Sequence, residues 1–295
     1  MIYSMLLTQD IFPAVYPWLF LVITLVAAFV KPKLWPFGLL CTLVSGLLYN
    51  AIDLVGLGVV TLLFTLAYFA NMPSKNAWNQ GIKTVITVLI FICCIALAAH
   101  LLPGFNNLPV LYNVEKSINS MPFTMYLNFD KPMILFVLLI LYPTVLMNNK
   151  KIRLFKIETK LHVITVISAT LLVIFSLATF LSLITIEPKL PSWWWLFALN
   201  NLLLTCVIEE VFFRGVIQNK LVQLFNPMAG LIVASFLFGI AHFSGGFSYV
   251  FVATLAGFLY GFVYLKTGKL WYAILIHFCL NMIHLYLFTY PLLKA

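Results

Sequence analysis

The chain has 295 residues, of which 63% are hydrophobic and only 8% charged, and it carries a formal net charge of +9 at pH 7. With a mean hydropathy of +1.08, that composition excludes a soluble globular domain. The basic surplus does not mark a nucleic-acid binder, because the lysines sit between apolar runs, where the positive-inside rule puts them.

Apolar runs of roughly 17 to 25 residues recur along the chain, each long enough to cross a bilayer. Lipid offers no partners to backbone polar groups, so these runs must be helices. The alternating segments of a membrane barrel are missing. The expectation is an all-α, polytopic, multi-pass membrane protein of about nine or ten transmembrane helices.

In chain order, the first half predicts five segments, near Phe12–Val30, Leu34–Asn50, Leu54–Ala70, Thr84–Leu102 and Pro132–Met147. The first is followed by Lys31 and Lys33 rather than by a small-residue cleavage site, so it reads as a retained helix. Asp53, His100 and the polar stretch Pro103–Lys131 fall at segment ends, where polar residues usually meet water or headgroups; that stretch reads as an external loop. The division predicted is 1–149 as N-terminal membrane helices, 150–160 as a basic cytoplasmic linker and 161–290 as a second membrane domain.

The linker holds Lys150, Lys151, Arg153, Lys156 and Lys160. Alternation from there puts Lys31, Lys33, Lys75, Lys83, Lys220, Lys266 and Lys269 on the same, cytoplasmic side, with an external N-terminus. Five further segments follow, near Leu161–Ile186, Ser192–Phe213, Pro227–Phe243, Ser248–Leu265 and Leu270–Tyr290; Trp193, Trp194 and Trp195 read as an outer aromatic belt. The five cysteines, Cys41, Cys93, Cys94, Cys206 and Cys279, lie in apolar segments without C-x-x-C spacing and read as small buried hydrophobes.

The chemistry concentrates in three segments. Glu209 and Glu210 stand side by side in an apolar helix, where a carboxylate costs roughly 2.5–3.5 kcal/mol at the centre. Arg214 lies four residues after Glu210 on the same face and can compensate it; Glu209 is about 100° round and is not met by that spacing. If the chain turns near Phe225–Pro227, an antiparallel hairpin brings Glu210 and His242 level. The last segment offers His277 and Asn281 at i, i+4, with His284 beyond them.

Glu209-Glu210-Val-Phe-Phe-Arg214, Phe238-Gly-Ile-Ala-His242 and His277-Phe-Cys-Leu-Asn281 resemble, in order, the E-E-x-x-x-R, F-x-x-x-H and H-x-x-x-N motifs of the CPBP intramembrane proteases. That family comprises type II CAAX prenyl endopeptidases and bacteriocin-processing, Abi-type relatives. The likeness spans about Leu161–Tyr290. It implies a hydrolase whose Glu209, with His242, activates water, whose Glu210 and Arg214 brace the helix, and whose His277 and Asn281 stabilise the oxyanion. His284 lies outside the motifs and reads as structural.

Members are often labelled metalloproteases, and Glu209, His242 and His277 are the ligands a zinc would take here; H-E-x-x-H is absent. The sequence leaves the cofactor unknown, metal-free or Zn2+. The partners implied are the bilayer and a peptide or protein substrate at the membrane, not nucleic acid, with the site opening toward the cytoplasmic side of a bacterial plasma or inner membrane. That home makes peptide maturation or membrane-protein turnover a better fit than prenylated substrates. Two other classes use the same residues: a proton-coupled transporter, whose inverted repeats are not visible, and a non-catalytic scaffold or immunity factor.

Overall fold

The computed structural model describes residues 12–73, 76–147 and 160–294. Among them are ten helices: α1 (Tyr16–Val30), α2 (Trp35–Leu48), α3 (Leu54–Asn71), α4 (Ala77–Ala98), α5 (Met133–Leu141), α6 (Lys160–Phe180), α7 (Trp194–Leu224), α8 (Pro227–Ile240), α9 (Phe247–Thr267) and α10 (Leu270–Leu287). The linker residues before Lys160 lie outside the described residues, as does Lys75.

The chain is a mostly helical integral membrane protein, with fewer long spans than the nine or ten expected. Six helices are long and apolar enough to cross a membrane: α3, α6, α7, α9, α10 and the part of α4 at Trp78–Ala98. Helices α1, α2 and α8 are apolar but shorter. Nine residues of α5 span roughly 13 Å, too little for the hydrocarbon core.

The stretch expected as a plain loop, Pro103–Lys131, instead pairs β1 (Leu108–Val114) with β2 (Phe123–Leu127). The strand signal there is weak, because Leu111 breaks the alternation and Pro109 and Asn113 are poor strand formers. Helix starts follow capping chemistry. Asp53 accepts from the Val55 and Gly56 amides at 2.8 and 2.9 Å, and Asn226, just before Pro227, accepts from Ala229 N at 2.9 Å.

The described residues form two compact units, one within 12–112 and 124–145, the other within 113–123 and 146–294. In the first, α5 buries eight of its nine side chains. Phe129 meets Trp18 edge-on at 5.8 Å, and Phe136 stacks on Trp35 at 5.8 Å. His100 Nδ1 bonds Asp130 Oδ2 at 2.8 Å, a structural tie.

In the second unit α9 packs on α7 and α8 through Gly257 and Gly261, a G-x-x-x-G spacing that lets helices approach closely. A Cβ on Gly257 would lie 3.1 Å from Ser235 O, and one on Gly261 would collide with Gln218. Beyond α6 and α10 three extended segments are seamed together: Leu293 N donates to Leu183 O (2.7 Å), Thr289 N to Thr185 O (2.9 Å) and Met121 N to Leu292 O (3.0 Å). Lys116, 1% exposed, donates to the carbonyls of Glu187 (2.8 Å), Tyr286 (3.3 Å) and Phe288. Burial lowers its ammonium to about 8, Glu187 opposing and Lys189 assisting.

Candidate active site

Helix α7 is not a regular α-helix where it carries the carboxylates. A single α turn, Val207–Glu210, lies between π-helical stretches Asn201–Cys206 and Val211–Gln218. Such widened turns occur often at functional sites. Residues five apart on an α-helix point roughly 140° away from each other. Here the wider turn brings Cys206 Sγ within 3.3 Å of Asn201 Oδ1.

Glu210 and Arg214 are both fully buried and paired, Nε to Oε2 at 3.1 Å. Arg214 also donates Nη2 to Gly257 O at 2.9 Å, and its guanidinium lies over the Phe238 ring at 4.5 Å and the Tyr260 ring at 5.3 Å. The other Glu210 oxygen accepts from His277 Nδ1 at 2.8 Å. One face of the His277 ring stacks on Tyr260 at 4.4 Å and 13°.

His242 lies two residues past the end of α8, which stops short of the predicted segment Pro227–Phe243. Its Nδ1 donates to Phe238 O at 2.8 Å. A carbonyl accepts only, so His242 carries its Nδ1 proton and turns Nε2 toward α7. His242 Nε2 is 3.9 Å and His277 Nε2 4.0 Å from Glu209 Oε2. Glu209, Glu210, Arg214, His242 and His277 therefore form one cluster.

Asn281 sits one turn beyond His277, its Nδ2 donating to Asn201 Oδ1 at 3.1 Å. His284 donates to Thr289 O at 3.0 Å. A cavity of about 70 Å³, lined by His242, Tyr260, His277, Asn281 and His284 among others, has room for about two waters. It runs along α9 from Tyr249 to Tyr260 and along the second half of α10, toward Leu183 and Leu292. That is the end opposite Lys220, Lys266 and Lys269, so the expected cytoplasmic opening disagrees with the cytoplasmic placement of those lysines.

A tetrahedral zinc with bonds of about 2.0–2.2 Å holds its donors about 3.4 Å apart. The two Nε2–Oε2 separations exceed that, and no cluster of three or more His, Cys, Asp or Glu among the described residues could hold a metal ion. As placed, the donors do not fit zinc. They fit a water, which sits about 2.8 Å from each partner.

The remaining sequence candidates scatter. Asp53 is a helix cap, and Cys41 is exposed rather than buried. Sequence reasoning passed over Tyr260, Gly257 and Asn201; the Gly257-Phe-Leu-Tyr-Gly261 spacing was the one available signal for α9.

Residues 191–283 match a family model described as Type II CAAX prenyl endopeptidase Rce1-like. This bears out the resemblance over a stretch narrower than Leu161–Tyr290 that contains all three motifs. The chain is also 29% identical, over 75 residues, to the Bacillus subtilis (strain 168) protein named "Putative membrane peptidase YdiL". That likeness covers 25% of this chain and 30% of the relative's length. No solved structure matches the chain.

Proposed function

We propose that the chain is an intramembrane endopeptidase that hydrolyses a peptide bond of a membrane-associated protein or peptide, in a bacterial plasma or inner membrane. The observation that carries the reading is the approach of His242 Nε2 and His277 Nε2 to the same oxygen, Glu209 Oε2, at 3.9 and 4.0 Å. Each imidazole stands from Glu209 Oε2 at a separation that one bridging water spans. A water there loses a proton to Glu209 while His242 Nε2 orients its second hydrogen. The hydroxide adds to the peptide carbonyl. His277, doubly protonated, donates from Nε2 to the oxyanion, and Asn281 Nδ2 donates beside it. Glu209 then returns the proton to the departing amine, and the C–N bond breaks.

Glu210 and Arg214 touch no reacting atom in this scheme. Glu210 fixes the His277 ring through Nδ1, and Arg214 fixes Glu210. The family match over 191–283 and the relative's peptidase name support the hydrolytic class. The test is cleavage of membrane-associated peptides by purified protein, read by mass spectrometry beside Glu209→Gln. Products that persist in Glu209→Gln defeat the mechanism.

A further inference from the structure

We infer that the scissile peptide reaches this site from the non-cytoplasmic side of the membrane, so that the substrate class is an exported peptide or an outward-projecting segment of a membrane protein. The inference rests on the endopeptidase reading.

Two observations carry it. The first is where the charges of the second unit lie. At the end formed by the α7–α8 and α9–α10 turns the charged residues are Lys220, Lys266 and Lys269, with no acid among them. Helix α6 begins at Lys160, and the ten residues that precede it in the sequence carry Lys150, Lys151, Arg153 and Lys156 with one acid, Glu158. The opposite end holds Glu115, Lys116, Glu187, Lys189 and Lys294. There Lys294 pairs with Glu115 at 3.1 Å and Lys116 is buried. Short loops rich in lysine and arginine stay in the cytoplasm, and acids count for little in that rule; the two ends hold three lysines each, and the basic run that precedes α6 in the sequence tips the count, so the α7–α8 and α9–α10 turns face inward and the seamed end faces outward.

The second is the course of the cavity. Tyr249 lines it two residues into α9, and Lys266 lies seventeen residues further, roughly 25 Å along the axis. His284 lines it from α10, fifteen residues and roughly 22 Å from Lys269. Leu183 and Leu292, which also line it, belong to the outward seam. Glu209 is fifteen residues from each end of α7, so the cluster sits near mid-membrane and the cavity runs outward from it.

The experiment uses the full chain in intact cells, with its five cysteines replaced by alanine. One variant carries Ile118→Cys, at an 82% exposed position of the outward end, and another Lys220→Cys at the exposed inward turn. A membrane-impermeant maleimide should label Ile118→Cys in intact cells and Lys220→Cys only after lysis. The reverse pattern, or labelling of both, overturns the inference. In a second arm the wild type in sealed right-side-out vesicles should cleave an added water-soluble peptide, and inside-out vesicles should not. Cleavage confined to inside-out vesicles overturns the sidedness alone. Absence of cleavage even in detergent overturns the endopeptidase reading beneath it.

Discussion

His277 gives its Nδ1 hydrogen to Glu210 at 2.8 Å, so the second carboxylate of the Glu-Glu pair holds an imidazole as well as Arg214. The two neighbours therefore have different duties, and conservative amides separate them. Glu209→Gln should abolish cleavage, by about a thousandfold or more, and leave the melting temperature in detergent near that of the wild type. Glu210→Gln leaves Arg214 buried without its counter-charge, a defect of about 3–5 kcal/mol, so it should lower both. Equal melting temperatures for the two variants would remove the distinction.

Tyr260 backs the His277 ring at 4.4 Å and is 1% exposed. Aromatic pairs contribute about 0.5–1.5 kcal/mol beyond their burial, and here the contact also fixes the ring plane. Tyr260→Phe keeps the stack and should retain kcat. Tyr260→Leu should lower kcat about tenfold with KM little changed, and this is read from initial rates on one peptide. A Leu variant with unaltered kcat would show that the stack is packing alone.

What could be read beforehand depended on where the physics is local. Glu210 and Arg214 are four apart on one helix, so their pairing follows from periodicity, and the Asn226–Pro227 turn fixes the hairpin that carries His242 back. The bond from Glu210 to His277 joins residues 67 positions apart and has no local signature. Nor do the π turns of α7: they change how residues five apart face, and no propensity in Asn201–Cys206 announces them. The segment near Pro132–Met147 folds as the nine-residue α5 because apolar content alone does not distinguish a short helix buried by its neighbours from one that meets lipid. The β1–β2 pairing was missed because Leu111 breaks the alternation by which a strand is recognised and Pro109 and Asn113 are poor strand formers.

Metal removal tests the spacing of the histidines. Because 3.9 and 4.0 Å suit a bridging water better than tetrahedral zinc, exhaustive chelation followed by metal-free assay should leave cleavage within about twofold of the untreated enzyme. Loss of activity restored by stoichiometric zinc would mean that the side chains close on a metal during the reaction, and the water scheme would fail.

Lys116 yields a pH dependence whose sign can be worked out. In the folded chain its pKa falls from 10.5 to about 8, burial being the main cause. Below about 8 the ammonium is charged in both the folded and unfolded states, and the folded state bears the cost of burying it. Between about 8 and 10.5 the folded chain has released the proton while the unfolded chain still holds it, so stability rises with pH across that window. Above it both states are neutral and the gain stops. A neutral amine still donates two hydrogen bonds to the carbonyls of Glu187, Tyr286 and Phe288, so the seam persists. Lys116→Met removes both the donor and the titration: it should melt lower than the wild type at pH 7, and the gap should widen from pH 8 to 10. Melting curves in detergent across that range decide it, since a gap that stays constant or narrows means that Lys116 keeps its proton on folding.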